Sequence, residues 1–363
     1  MGRNRIAGII LGTILSVGLL SYLEEKRPTD SMTLVPENRG AIKEIAVQYT
    51  HDAAPYLLPA YRSFFTQIDP SVRVVAVCSN DAEAREFQGF IQSTGMAHPE
   101  RVRTLSAGVT ITAWCRDRFL MAEGAPLKLV CPRLNDTGFE TRSNDSRVAG
   151  VIANNQNAKY SACTTPLIFD AGDLFPSTGV TFVNDELWMK NPKEKNLDST
   201  LTRMFNGRIV RLKGSPAHHI GMFAAPLDEK HVLIGDTELG WKLWQENWKN
   251  NKEKLAQPDH SPTALKPFAA TASELKAAGF EVTSLPTVVL GTKVYISYTN
   301  GVFETRGNKK IVYMPWYEIP TMDEAARKVY VNAGWEVHPI PVKTLYRFRG
   351  TIGCVVNVLD RGQ

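Results

Sequence analysis

The sequence has few of the patterns that mark a metal site or a nucleic-acid-binding protein. Its five cysteines include no CxxC pair, and no group of His and Cys residues has the spacing of a zinc site, so no structural metal is expected. The formal net charge over 363 residues is only +5, and no dense basic run alternates with aromatic residues, so nucleic acid is not an expected partner. An odd number of cysteines leaves at least one thiol without an internal partner, and Cys354 is the candidate for that thiol.

The composition is that of an ordinary globular protein. Apolar residues make up 43% of the chain and charged residues 22%, which argues against a largely disordered chain and against a protein with many membrane spans. The length would accommodate two domains, although a single large closed architecture also reaches this size. The order of the predicted strands and helices must therefore decide the fold class.

One long hydrophobic run, from Ile6 to Leu23, lies near the N-terminus. Its length is close to the roughly 20 residues that cross a bilayer, and Arg3 and Arg5 precede it. We interpret residues 1–27 as a signal peptide or a membrane anchor, and the lack of a clear small-x-small cleavage site leaves both open. The flanking arginines predict that the rest of the chain lies outside the cytoplasm, touching the membrane only through this segment. Residues 28–40, rich in Pro, Asp, Asn and Gly, are predicted to form a linker.

From residue 41 onward, short apolar strands alternate with amphipathic helices. Ile45 to Tyr49 and Val72 to Cys78 have the composition of buried strands, and Tyr56 to Ile68 between them has a helical pattern. Near the C-terminus, Lys310 to Met314 is a predicted strand that is followed by a predicted helix and a further strand. This alternation over most of the chain predicts an α/β fold built from a repeated unit.

Residues able to carry out nucleophilic chemistry occur in four separate segments. A Trp-x-Arg-Asp segment ends at Asp117, an acidic turn begins at Asp170, a histidine pair includes His219, and Cys354 lies between a glycine and an apolar run. Each segment alone has a simpler explanation. An Asp beside an Arg is usually a surface ion pair, Asp and Gly are common in turns, paired histidines can be structural, and cysteine is often a core residue.

Two acids, one histidine and one cysteine are sufficient for chemistry on a guanidinium group. A guanidinium is planar, cationic and rich in N–H donors, so its site needs carboxylates that accept paired hydrogen bonds. Its central carbon is a poor electrophile, and attack on it needs a thiolate. A histidine must then protonate the leaving nitrogen and later activate water.

The segments together resemble the guanidino-group-modifying superfamily, the penteins, and within it the agmatine and bacterial peptidylarginine deiminases. Residues 114–117 resemble the Trp-x-Arg-Asp segment of these enzymes, residues 169–174 resemble their acid-Gly-Gly turn, and residues 218–219 resemble their catalytic-histidine block. Residues 350–354 resemble the segment around the nucleophile, and residues 298–301 resemble the segment that precedes it.

The resemblance implies a fold and a set of site residues. The implied fold is a five-module α/β propeller, the pentein fold, over residues 41–363, preceded by the N-terminal hydrophobic segment. The resemblance further implies that Asp117 and Asp170 orient the guanidinium, that Cys354 is the nucleophile and that His219 is the general acid and base. The remaining residues predicted to bind substrate are Asp173, Trp114, Arg116, His218 and Asn300.

The predicted function is that of a cysteine hydrolase, a deiminase acting on the guanidinium of arginine, agmatine or peptidyl arginine. The resemblance implies a covalent thiouronium intermediate, with neither a metal nor an organic cofactor. An amidinotransferase or a dimethylargininase-like enzyme would use the same groups. A non-catalytic pentein that binds a small ligand or a protein is the alternative from another class, and an unrelated cysteine hydrolase such as a protease is a third.

The motifs depart from the family pattern at five positions, one of which is Arg349 in place of the first glycine of the segment around the cysteine. Gly221 stands where the deiminases have the aspartate of a His-x-Asp pattern, and Gly353 stands where they have the histidine before the cysteine. Asp170 is one methylene shorter than the usual glutamate, and Ala171 replaces a glycine. A guanidinium with too few carboxylate partners keeps an uncompensated charge in a closed site. The missing acid at position 221 therefore predicts either a different substrate or weaker catalysis.

Overall fold

The computed structural model of the chain describes residues 31–133, 140–155, 158–250 and 257–362. The predicted signal peptide or anchor, residues 1–27, lies outside these residues. Among the described helices, none combines the length and the hydropathy needed to cross a bilayer.

Strands and helices alternate along the described chain, as the sequence pattern predicts. The strands are β1 Ala41–Tyr49, β2 Arg73–Cys78, β3 Val102–Ser106, β4 Leu120–Ala122, β5 Leu127–Cys131, β6 Tyr160–Thr164, β7 Leu174–Ser177, β8 Val180–Asn184, β9 Arg208–Leu212, β10 Ala224–Pro226, β11 His231–Asp236, β12 Glu281–Gly291, β13 Val294–Ser297, β14 Val302–Arg306, β15 Lys309–Trp316, β16 Glu336–Pro341 and β17 Val356–Gly362. The α-helices are α1 Ala54–Gln67, α2 Asp81–Thr94, α3 Val148–Asn155, α4 Glu186–Lys190, α5 Leu197–Met204, α6 Thr237–Asn250, α7 Pro262–Ala277, α8 Pro320–Asn332 and α9 Ile352–Val355.

Local sequence signals account for the ends and faces of these elements. Helix α2 begins after Asn80, whose side chain accepts hydrogen bonds from two backbone N–H groups of the first turn, and ends at Gly95 in the left-handed conformation. It buries Phe87 and Ile91, one helical turn apart, against the sheet. Strand β1 is buried along most of its length, which fits a strand that is covered on both faces.

The strands in the described residues form five sheets with a shared pairing pattern. In each sheet an antiparallel pair is extended by a parallel strand: β4-β5-β6, β7-β8-β9, β10-β11-β12, β14-β15-β16 and β17-β1-β2. Strand β13 adds to the third of these sheets and β3 to the last. The α/β fold class predicted from the sequence is therefore confirmed.

The C-terminal strand β17 pairs with the first strand of the domain. Val356 lies opposite Val47, and Asn357 lies opposite Ala46, in an antiparallel register. Helix α9, which carries Cys354, immediately precedes β17. The position of Cys354 thus depends on the pairing of β17 with β1.

Residues 31–40 are packed against the domain, which corrects the prediction that residues 28–40 are a linker. The backbone N–H of Met32 donates to the carbonyl of Met204 at 2.8 Å, and that of Val35 donates to the carbonyl of Met121 at 2.8 Å. Met32 and Leu34 are buried. The polar composition of the segment hid these two apolar residues, whose burial anchors it.

Buried apolar side chains form several clusters between the sheets and the helices. One of them gathers Met222, Phe223 and Tyr295 around Cys354. Trp114 packs against this cluster and also against the largest one. The candidate nucleophile therefore lies at the border of an apolar region.

Candidate active site

One predicted site residue precedes the first strand of each sheet. Asp117 lies shortly before β4, Asp170 before β7, His219 before β10, Asn300 before β14 and Cys354 before β17. Equivalent positions in five similar units thus carry the five polar residues. This regularity holds although the units do not share residues.

Cys354 is buried in α9 and is held by contacts with the loop before β14. Its backbone N–H donates to the carbonyl of Thr351 at 2.9 Å, and the residue as a whole is 4% exposed. The side-chain amide of Asn300 donates to Sγ of Cys354 at 3.0 Å. The sulfur therefore has a polar N–H neighbour within an otherwise apolar surrounding.

The side chain of Asn300 fills the space beside both glycines that depart from the family pattern. A Cβ on Gly221 would lie 2.5 Å from Oδ1 of Asn300, and a Cβ on Gly353 would collide with the same oxygen. The amide of Asn300 also donates to Oγ1 of Thr351 at 2.7 Å. The two departures are therefore linked, because both glycines make room for one buried amide. Asn300, predicted as a substrate ligand, contacts Cys354, the candidate nucleophile.

His219 lies between the two acids. Its Nδ1 is 3.4 Å from Oδ1 of Asp117, and its Nε2 is 3.7 Å from Oδ2 of Asp170. The imidazole covers Gly172, where a Cβ would lie 2.5 Å from Cγ of His219. Burial alone would lower the pKa of His219, but Asp117, Asp170 and a hydrogen bond with Cys354 raise it to about 10. The ring is therefore protonated at neutral pH.

The carboxylates of Asp117 and Asp170 are buried and ionised. Burial would raise the pKa of Asp117, but His219 and Arg142 lower it below its usual value. Burial would likewise raise the pKa of Asp170, but the nearby His219 and the charge of Lys190 lower it well below its usual range. Nζ of Lys190 lies 2.9 Å from Oδ2 of Asp170.

Two arginines that sequence reasoning missed contact the same carboxylates. Nη2 of Arg142 lies 2.5 Å from Oδ2 of Asp117, and its Nη1 lies 4.0 Å from Oδ1 of Asp170. Nη2 of Arg118 lies 3.6 Å from Asp117 and 3.5 Å from Asp170. Both also approach Asp145, which accepts hydrogen bonds from the N–H and the hydroxyl of Thr112.

The sequence offered little that would have identified these extra residues. Arg118 directly follows Asp117, and that adjacency is the available signal. Arg142 and Asp145 belong to a 3₁₀ segment, Glu140–Arg147, that has no apolar periodicity and matches no motif. Lys190 ends the short helix α4 and reaches the acidic turn from 17 residues away.

Asp173 supports the acidic turn from behind. It is fully buried, its Oδ2 accepts from the backbone N–H of Asp170 at 2.9 Å, and Lys190 contacts it at 2.5 Å. Burial raises the pKa of this carboxyl, although Lys190 opposes the effect. These contacts give Asp173 a structural part in the turn, and its role as a substrate ligand stays a prediction.

His218 packs edge-on against the ring of His219, with 5.3 Å between the ring centroids. Its Nδ1 accepts from the backbone N–H of His219 at 2.7 Å, and its ring lies 5.5 Å from that of Tyr295. Burial lowers the pKa of His218 to about 3, so the ring is neutral. These contacts give His218 a packing role, and its role in substrate binding stays a prediction.

Trp114 and Arg116 occupy different sides of their segment. The Trp114 ring lies directly against Gly350, where a Cβ would collide with it, and so beside the segment that carries the nucleophile. Arg116 is paired with Glu37 and donates to the carbonyl of Leu174 at 3.2 Å. This pairing ties Arg116 to the N-terminal stretch, and its role as a substrate ligand stays a prediction.

Two further features concern metals and disulfides. In residues 31–133, 140–155, 158–250 and 257–362, no group of three or more His, Cys, Asp or Glu side chains is placed to hold a metal ion. The five cysteines are all unpaired.

Known structures share this architecture, although sequence comparisons find no relative. No protein-family model matches the chain, and no curated protein matches its sequence. An agmatine deiminase from C. jejuni superposes with a TM-score of 0.68 at 17% identity, covering 92% of this chain and 97% of the other. A structure described as a putative peptidyl-arginine deiminase gives a TM-score of 0.66 at 15% identity, with coverage of 91% and 99%. Agmatine deiminase of Enterococcus faecalis gives 0.66 at 13% identity, with coverage of 93% and 99%.

These identities are too low to carry an activity over to the chain, but the superpositions extend over nearly the whole length of both proteins. The chain therefore has the fold of the agmatine deiminases, and the resemblance to the penteins indicated by its sequence motifs is confirmed at the level of the fold.

Proposed function

We propose that the chain is a cysteine hydrolase that deiminates the guanidinium group of arginine, agmatine or peptidyl arginine. The observation that carries the proposal is the convergence of four groups. His219 lies within 3.7 Å of both Asp117 and Asp170, and helix α9, which carries Cys354, packs against the turn that ends at Asp117. Two carboxylates, an imidazolium and a buried thiol are the set that guanidine hydrolysis needs.

In the proposed reaction, Asp117 and Asp170 accept hydrogen bonds from the substrate guanidinium and hold its plane. Sγ of Cys354 attacks the central carbon as a thiolate, which the neighbouring imidazolium and the Asn300 amide stabilise by charge and by hydrogen bonding. His219 then donates its proton to the departing nitrogen, leaving a thiouronium on sulfur. Water attacks that carbon, His219 takes up a proton, and the C–S bond breaks to give the ureido product and the free thiol.

The protonation state of His219 supports this order of events. A ring with a pKa of about 10 carries a proton at neutral pH and is ready to act as the acid in the first half of the reaction. When the nitrogen has left as a neutral amine, the deprotonated ring is available to activate water. The same residue thus serves both halves.

We also propose that the five units are arranged as the modules of a propeller around this site. Two observations support this proposal. One polar residue precedes the first strand of each sheet, and β17 pairs with β1, so that the last described strand joins the first. Five equivalent positions meet most simply around a common axis.

A colorimetric assay for ureido product over agmatine, arginine, methylarginine and an arginine-containing peptide tests the proposed function. The wild type should give product with at least one substrate, while Cys354→Ala and His219→Ala should give none. Cys163→Ala is the matched control, because Cys163 is half-buried in β6, away from these groups, and its loss should leave turnover unchanged. Turnover that persists in Cys354→Ala would refute the assignment.

A second function, ligand binding without turnover, is favoured by one observation. Arg118 and Arg142 already contact both guanidinium-binding carboxylates, and no acid stands at Gly221. In that case the substrate panel gives no product, while saturable binding of one of its members is retained in Cys354→Ala.

A further inference from the structure

Arg142 is an arginine side chain in the place that the proposed function assigns to a substrate. Its guanidinium contacts Asp117 at 2.5 Å and lies 4.0 Å from Asp170, so it spans the two carboxylates. The side chain is 16% exposed, compared with 2% for the neighbouring Arg118. Arg142 therefore reaches the carboxylates from the more accessible side of the site.

We propose that the guanidinium of Arg142 occupies the substrate's guanidinium position, so that the resting site is self-occupied and a substrate must displace this side chain. The inference rests on the proposed function for the identity of the ligand. Its structural basis is independent, because any guanidinium that binds between Asp117 and Asp170 would compete for the oxygens that Arg142 holds.

The charges around the site support displacement over joint occupancy. With Cys354 as a thiol, four carboxylates face four cationic groups, so their formal charges cancel. The carboxylates are those of Asp117, Asp145, Asp170 and Asp173, and the cationic groups are those of Arg118, Arg142, Lys190 and protonated His219. A second guanidinium beside Arg142 would leave one buried positive charge uncompensated, which is costly. Exchange of one guanidinium for another keeps the balance.

Arg142 is the member of the pair that can leave. Arg118 follows Asp117 directly in the chain and is almost fully buried, with its Nε 3.7 Å from Asp145. Arg142 comes from the separate 3₁₀ segment Glu140–Arg147 and keeps a solvent-facing edge. Withdrawal of its side chain uncovers the carboxylates without moving the turn that holds Asp117.

A binding experiment tests this proposal without turnover. Methylguanidine binding is measured by calorimetry in the Cys354→Ser background with Arg142 intact, with Arg142→Ala and with Arg142→Gln. We expect both substitutions to tighten binding by about tenfold or more, because a site that is open one tenth of the time binds about ten times more weakly than one that is always open. Arg147→Ala, in the same segment with an exposed side chain, is the control and should not change the affinity.

Thermal unfolding gives a second readout if removal of Arg142 weakens the fold. Millimolar methylguanidine should then raise the unfolding temperature of Arg142→Ala more than that of the wild type, whereas tetramethylammonium, a cation without N–H donors, should not. Affinity and thermal shift that are the same with and without Arg142 would overturn the proposal. If the substrate panel is turned over but Arg142→Ala leaves affinity unchanged, the inference fails and the function stands. If Arg142→Ala gains affinity but no variant forms product, the inference stands and the function fails.

Discussion

Substitution of Gly221 by alanine provides a quantitative test of the buried amide of Asn300. A Cβ at position 221 would lie 2.5 Å from Oδ1 of Asn300, far inside van der Waals contact. Gly221 does not have a positive φ, so the cost comes from this collision and not from the backbone. Asn300 cannot move away freely, because it is buried and its Nδ2 donates to Thr351 and Cys354. We expect Gly221→Ala to lower the free energy of unfolding by about 1–3 kcal/mol, as overpacking of a close-packed site does.

A double-mutant cycle with Asn300→Ala separates the collision from other effects. In the Asn300→Ala background the added methyl group meets no oxygen, so Gly221→Ala should cost nearly nothing, and the coupling free energy should be about 1–3 kcal/mol. Urea unfolding followed by circular dichroism gives these values, provided that the slope with denaturant is the same in all variants.

Gly89→Ala is the matched control for the cycle. Gly89 lies inside helix α2, and a Cβ there would meet nothing within 4 Å. Alanine at this site should stabilise the protein by about 0.5–1 kcal/mol, because glycine is unfavourable in a helix interior. If Gly221→Ala costs the same with and without Asn300, the placement of the amide between the two glycines is refuted.

Three further predictions concern the charged groups. Asp117→Asn should lower the pKa of His219 from about 10 toward its ordinary value. The stabilisation by the protonated ring is complete below about pH 6.5 and is lost as the pH rises toward 10, so in the variant it should disappear at lower pH. NMR titration of the ring measures this shift, and an unchanged titration contradicts the ion pair. The pKa of His218 is about 3, so below about pH 6.5 the unfolded chain binds a proton that the folded chain does not, which destabilises the protein by about 2 kcal/mol at pH 5. Between pH 7 and pH 5, the free energy of unfolding of His218→Asn, measured with urea, should therefore fall by about 2 kcal/mol less than that of the wild type. An equal fall contradicts the buried neutral ring. Asp173→Asn should lower the free energy of unfolding by about 1.5–3 kcal/mol, because its contact with Lys190 is weakened, while the titration of His219 changes little. A stable variant with no activity would show instead that Asp173 binds substrate.

The fold class and the positions facing the site could be predicted because their signals are local. Buried strands appear as short apolar runs, and the residue just before such a run is a sequence neighbour of the strand that positions it. Asp117, Asp170, His219, Asn300 and Cys354 all occupy this place, and all five converge or contact a convergent residue. A motif match in the right order was therefore enough to find them.

The direction of neighbouring side chains could not be predicted in the same way. Arg116 and His218 are adjacent in sequence to Asp117 and His219, but they pair with Glu37 and pack against Tyr295. In a short 3₁₀ turn, successive side chains point to different sides, and the sequence gives no period from which to choose. The sequence therefore could not predict which of these neighbouring side chains face the site.

Residues that enter the site from remote segments left no trace in the sequence pattern. Arg142 and Lys190 reach the acids from elements whose own periodicity is weak, and their contacts depend on the packing of separate units. Likewise, an absent acid at Gly221 could be recognised from the sequence, whereas the amide of Asn300 that takes up the space could not. The residue type at one position can be read from the sequence, but the side chain that fills the space beside it depends on tertiary packing.

The contacts of β17 and of the segment before it explain how Cys354 and Asp117, which belong to separate sheets, are held at fixed positions. Asn357, the second residue of β17, donates from its side-chain amide to the carbonyls of Phe119 at 2.9 Å and Cys115 at 3.4 Å. These carbonyls flank Asp117, and Asn357 follows Cys354 by three residues, so one buried amide ties the strand that follows Cys354 to the turn that carries Asp117. On the opposite side, Asn300 ties Cys354 to the loop before β14. Cys354 is thus positioned by two buried asparagines, Asn300 and Asn357.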